Sequence, residues 1–212
     1  MNLEFAQQLM QKFTKDPEHA VHVEKLSLNF FDQLKDLHLC GEMERQYLQC
    51  AALLHDIGCA VSYRKHHLHS YRIILDAHFP SLTAKEKQIV ALIARYHRKS
   101  TPKLKHPEFL SLSQRDQTIV KRMSALLRIA DALDRSRSHK IADFRCVIQK
   151  NECCCLIEAM GDCLEEKASV IKRKNLFMDV FGIDFQIVDE TKKEIEPLSL
   201  AAPEPETAQA NL

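Results

Sequence analysis

Residues 51–71 read AALLHDIGCAVSYRKHHLHSY. An apolar run closes on the adjacent pair His55-Asp56, glycine follows at 58, and three more histidines come at 66, 67 and 69. Such a pair is ordinary by itself. Here His19 stands upstream, and His97 and Asp131 stand downstream. The chain has 11 histidines, and seven of them fall between positions 55 and 106. An imidazole is costly to bury without a partner, so histidines gathered around one acidic pair point to a site.

The apolar spacing around that stretch predicts helices. One is expected over 42–54, through Met43, Tyr47, Cys50, Leu53 and Leu54, with Gly41 as the breaker before it and Gly58 ending it. Upstream, a helix over 3–13 precedes Asp16-Pro17-Glu18, where a carboxylate cap and a first-turn proline start another over 17–37. His19 lies on its first turn. Downstream, residues 62–70 read as a polar, basic segment, followed by a short helix over 71–77. Thr83 and Glu86 form a capping box for a helix over 84–97. A long helix from 113 to 137 carries a broad apolar stripe with Asp131 inside it. From residue 141 the pattern turns β-rich: FRCVIQK and CCCLIEAM as a hairpin, a helix over 162–181 ended by Gly182, then FQIVD as a third strand. Beyond 193 the chain is rich in Pro, Ala and Glu and reads as disordered.

Composition narrows the function. The 212 residues suffice for one core or a main domain with a small appendage, and a formal net charge of +1 gives no bulk attraction to nucleic acid or anionic membrane. No apolar run approaches the roughly 18 residues of a membrane span, and the charged start is not expected to be a signal peptide. The eight cysteines include no C-x-x-C, and Cys153, Cys154 and Cys155 alternate faces if they form a strand. They read as small apolar fillers in a reducing, cytoplasmic setting.

His19, His55, Asp56 and Asp131 supply two imidazoles and two carboxylates, a donor set suited to a hydrolytic divalent metal. A carboxylate flanked by Leu127, Ile129, Ala130 and Leu133 is costly to bury unless it is paired or bound to a cation. The bland alternative has His19 on the surface, Asp56 capping a turn, and Asp131 paired with Arg128 or Arg135. Asp134, one turn on, competes with Asp131 as ligand, and His22 competes with His19. His69 and His97 are candidates for a second metal or for proton transfer; phosphate contact or simple capping are equal alternatives. His66 and His67 are weaker candidates, and His38, His78, His106 and His139 read as solvated. Arg64, Lys65, Arg95, Arg98 and Lys99 crowd the same stretches, either as a solvated face or as contacts for a phosphate-bearing substrate.

Five segments in order carry a resemblance: DPEHAVHVEKLSLNFFDQL from 16, AALLHDIG from 51, SYRKHHLHSY from 62, IVALIARYHRK from 89 and LLRIADALDRSR from 126, with FMDVFG ending at 182. Together they resemble the C-terminal HD-like domain of the exopolyphosphatase / guanosine pentaphosphate phosphatase family, over about residues 16–190. Full-length members carry an actin-like phosphatase part with Gly-rich loops, which a chain with four glycines is not expected to contain. In some members the HD-like part is accessory. The intact motif here implies metal binding.

The expectation is therefore a mainly α fold: an HD-type helical domain over 1–140, a small β-β-α-β subdomain over 141–192, and a tail over 193–212. The resemblance implies a metal-dependent phosphohydrolase acting on a nucleotide, an alarmone or polyphosphate. His19, His55, Asp56 and Asp131 would hold one or two divalent ions (Mn, Fe, Mg, Zn or Co), and Asp56, His69 and His97 would serve catalysis. The alternative is a non-catalytic polyphosphate- or nucleotide-binding module. A homodimer or a separate phosphatase is the expected protein partner, and neither membrane nor nucleic acid is expected.

Overall fold

The computed structural model describes residues 3–192; the expected disorder beyond 193 lies outside them. The described chain is mainly α, with a small three-stranded sheet near its C-terminal end. No described helix is long and apolar enough to cross a membrane.

Helix α8 (Gln114–Leu133) is the axis of the fold. It begins at Ser113, whose hydroxyl accepts from the Asp116 amide at 3.1 Å. Every residue from Met123 to Leu133 is buried, so the helix has no solvent face there. Helices α2 (Pro17–Gln33), α4 (Glu42–Leu54) and α6 (Ala84–Arg95) pack on it, as do α9 (Leu164–Arg173) and α10 (Asn175–Phe181). Helix α1 (Leu3–Phe13) lies against α4, and α5 (His66–Asp76) against α6.

Strands β1 (Ile141–Gln149) and β2 (Glu152–Ala159) form the hairpin, and β3 (Asp184–Asp189) runs parallel to β2 after the α9–α10 crossover. The sheet docks on α2 through Phe30, whose ring lies 4.1 Å from that of Phe144 and 5.9 Å from that of Phe185. One hydrophobic cluster runs through helices and sheet alike. All eight cysteines are free, and four are buried.

Several boundaries differ from the periodicity. The helix expected over 17–37 breaks at Leu34, and α3 (Lys35–His38) follows. His38 is not solvated but fully buried: its Nε2 reaches the Phe31 carbonyl at 2.8 Å and its Nδ1 accepts from the Cys40 amide. The long helix stops at Leu133 rather than 137, because the Asp134 side chain turns back to accept from the His139 amide at 3.0 Å. The helix expected over 162–181 is divided at Lys174, and Gly182 ends it in the left-handed region at φ 71.

The largest difference is α5, which starts at His66 and not at Tyr71. Tertiary bonds hold this polar turn. The Ser70 hydroxyl donates to the His55 carbonyl at 2.7 Å and accepts from the Gly58 amide at 2.9 Å. Gly58 lies in a 3-10 turn (Ile57–Ala60), and its role is close approach. A Cβ there would collide with the backbone of His66 and Ser70. Gly58→Ala should therefore cost about 1–3 kcal/mol in urea unfolding, as overpacking does. A stability equal to the parent's would show that the two segments are not locked at this point.

Candidate metal centre

Five chain segments bring their ends together. The first turn of α2 supplies His19, and Asp16 caps that turn by accepting from the His19 amide at 3.1 Å. The end of α4 supplies His55 and Asp56, the start of α5 supplies His66, the residues after α6 supply His97, and the last turn of α8 supplies Asp131. All six are buried.

Each imidazole is held by its Nδ1. His55 Nδ1 lies 2.6 Å from the Ala52 carbonyl, His97 Nδ1 2.7 Å from that of Ala94, and His66 Nδ1 3.0 Å from that of Tyr63. In all three the acceptor is three residues back, so the backbone sets the ring. His19 Nδ1 instead meets the buried Asp134 carboxylate at 2.7 Å. A proton donated from Nδ1 leaves Nε2 as the lone-pair nitrogen of the neutral ring, the orientation that metal-binding histidines adopt.

The four Nε2 atoms converge on two carboxylates. Asp56 Oδ1 lies 3.7 Å from His55, 3.1 Å from His66 and 3.6 Å from His97. Asp131 Oδ1 lies 3.5 Å from His19 and 3.6 Å from His55. The outer oxygens are held by arginines: Asp56 Oδ2 accepts from Arg137 at 2.6 Å, and Asp131 Oδ2 accepts from Arg173. Two triads have ligand atoms close enough for one ion: His19, His55 and Asp56, and then Asp56, His66 and His97. Asp56 belongs to both.

Burial opposes ionisation of these carboxylates, yet both are held well below the usual carboxylate range. His55, His66 and His97 do this for Asp56; Arg173, His19 and His55 do it for Asp131. Burial also opposes charging of His19, but Asp131 and Asp134 outweigh it and raise its pKa to about 9. Asp56 likewise outweighs burial at His66 and raises it to about 10. His97 goes the other way: burial, reinforced by His55, holds it well below the usual histidine value.

The donor set fits a divalent cation. The buried Nε2 atoms of His19 and His55 have no hydrogen-bond partner, since their carboxylate contacts are longer than a good hydrogen bond. An orphaned buried nitrogen costs about 1–3 kcal/mol, and a cation at Nε2 removes that cost.

His19, His55, Asp56, Asp131 and His97 are thus brought together. His69 is not: it is half-buried on α5, outside both triads, and His66 stands where a further imidazole was sought. His22 does not replace His19, because its Nε2 bonds the Ile141 carbonyl at 3.0 Å. Asp134 sits behind His19. Among the basic candidates, Arg98 reaches the site, with Nη1 3.4 Å from His66 Nε2. Arg95 is bound to Glu108, and Arg64, Lys65 and Lys99 are exposed. Sequence reasoning passed over Arg137 and Arg173, and no local pattern marks either.

A family described as Ppx/GppA phosphatase, domain III, matches residues 4–171. A guanosine-5'-triphosphate,3'-diphosphate pyrophosphatase of Aeromonas hydrophila subsp. hydrophila is 30% identical over 126 residues, which is 59% of this chain and 25% of that protein. The matched region is thus about a quarter of that relative's length.

Asp134→Asn should weaken divalent-cation affinity by about 10–100-fold in a competition titration, the usual effect of losing a carboxylate behind a ligand histidine. An unchanged affinity would remove Asp134 from the site. In the metal-free protein, charged His19 and His66 stabilise the fold fully below about pH 6.5, and that contribution is lost as pH rises through about 9 and about 10. The Tm with chelator present should therefore fall across that window; a flat profile would contradict the raised values.

Proposed function

Because this chain belongs to the Ppx/GppA phosphatase domain III family, we propose that its cluster is the metal centre of an HD-type phosphohydrolase acting on a nucleotide, an alarmone or polyphosphate. The observation that carries this reading is the pair of unpartnered, buried Nε2 atoms of His19 and His55 facing Asp56 and Asp131. His19, His55, Asp56 and Asp131 would hold one divalent ion, and Asp56, His66 and His97 a second. A divalent ion in such a set polarises a phosphoryl oxygen and makes water acidic enough to attack near neutral pH.

The chain's own residues supply the rest. The Nδ1 tethers of His55, His66 and His97 fix the rings before substrate arrives, so little reorganisation remains. Arg137 grips the outer oxygen of Asp56 and holds its inner oxygen toward the histidines. Arg98 presents its guanidinium beside His66, where it would balance charge on a bound phosphoryl group. Of the two histidines considered for proton transfer, His97 turns Nε2 into the cluster, and burial keeps the ring neutral, the state in which Nε2 can hold a cation.

A second reading, a non-catalytic module that binds polyphosphate or a nucleotide for another phosphatase, is favoured by one observation. The match covers only about a quarter of a relative named as a pyrophosphatase. The two readings part on turnover. Protein purified without chelator should carry about one or two ions per chain by elemental analysis. His55→Ala/Asp56→Ala should lose all of them, and His66→Ala only those of the second triad. Phosphate release from guanosine nucleotides or polyphosphate should disappear with the metal. A parent that takes up manganese, iron or zinc but releases no phosphate is a binding module; one that takes up none of these ions refutes the metal centre.

A further inference from the structure

Beside the cluster, the end of α8, the residues after α6 and one face of α9 enclose a cavity of about 330 Å3. Its lining includes Arg98, Arg135, Lys172 and Arg173, with Glu165 as the one acid. Arg45, Arg95 and Arg137 elsewhere are each paired with carboxylates. Among the described residues, no carboxylate is paired with Arg98, Arg135 or Lys172. The Arg98 guanidinium lies 5.7 Å from the centre of the Tyr63 ring, and Arg98 and Arg135 together lower the Tyr63 pKa.

The cavity is joined to the cluster at two points. Arg173 lines the cavity and donates to Asp131 Oδ2, while Asp131 Oδ1 faces His19 and His55. Arg98 lines the cavity and approaches His66 Nε2. We propose that this cavity is a second anion subsite, built by Arg98, Arg135, Lys172 and Arg173, for the phosphate next along a phosphoanhydride chain whose first phosphate lies at the cluster. This rests on the phosphate-processing reading of the cluster. Donors from separate elements converge on one polar space, which suits a tetrahedral polyanion. The lining offers no apolar slot for a base. Two of the four cations come from α9, so the segment after the hairpin completes the substrate channel. An orthophosphate engages one subsite at a time, and a linked chain engages both.

The test uses the full chain as purified, without added chelator, and inorganic tripolyphosphate as probe, by isothermal titration calorimetry at fixed salt. Arg135→Ala/Lys172→Ala removes two exposed cations of the lining, and Lys12→Ala/Lys15→Ala removes the same charge elsewhere. Circular dichroism and Tm confirm that both fold. The expected result is tripolyphosphate affinity about tenfold lower or more in the first variant and within about twofold of the parent in the control. Orthophosphate should bind the parent at least about tenfold more weakly than tripolyphosphate. Equal losses in the two double variants would show general electrostatic attraction and overturn the subsite, as would parental affinity in Arg135→Ala/Lys172→Ala. The cluster is scored separately, by cation content. A chain that takes up no metal yet loses tripolyphosphate in the first variant would keep the subsite and discard the metal centre.

Discussion

Two carboxylates inside the fold, Asp56 and Asp131, impose the arrangement of everything around them. Neither can stay ionised there without positive or proton-donating neighbours, because the interior penalises charge steeply. Four imidazoles and two arginines meet that demand, and they come from segments spread over the chain from His19 to Arg173. The helices are positioned so that their ends, rather than their middles, meet at the carboxylates. Removing either acid would leave a knot of facing histidines and arginines with nothing to hold it.

The burial of α8 follows from the same constraint. A helix that carries a buried, ionised carboxylate in its last turn is covered on every side at that end, as the run of buried residues from Met123 to Leu133 shows. The helices α2, α4, α6, α9 and α10 together cover it. The sheet is anchored at a distance from the cluster, on Phe30 of α2, and hands α9 across to α8. Fold and site therefore share one axis.

Most of the helices were legible because their apolar residues recur at helical spacing and their caps are local: Asp16, Thr83 and Ser113 each accept from an amide three residues on. The four residues His19, His55, Asp56 and Asp131, which the structure brings together, were legible because each stands at a helix end or inside a buried stripe. His66 was hidden because the turn that carries it has no apolar pattern; it is helical through bonds from Ser70 to His55 and Gly58. Asp134 showed as a rival to Asp131, and only the ring orientation of His19 reveals that it stands behind the imidazole. Arg173 lies 42 residues from the Asp131 it contacts, a separation over which one sequence carries no local signal. Boundaries failed where a side chain folds back, as at His38 and Asp134.

The tethering of His55 and His97 to carbonyls in the last turns of α4 and α6 has a mechanical side. A helix leaves its last carbonyls short of amides, and here an imidazole N–H takes one at each end, alone at Ala52 and beside the His97 amide at Ala94. Charge drawn from Nε2 makes Nδ1–H a stronger donor, so whatever binds at the centre also tightens two helix ends. Fraying at Ala52 and Ala94 and looseness of the ring nitrogens are one motion. Amide exchange in those turns is therefore a gauge of occupancy at the cluster, read from backbone groups that never touch the bound species.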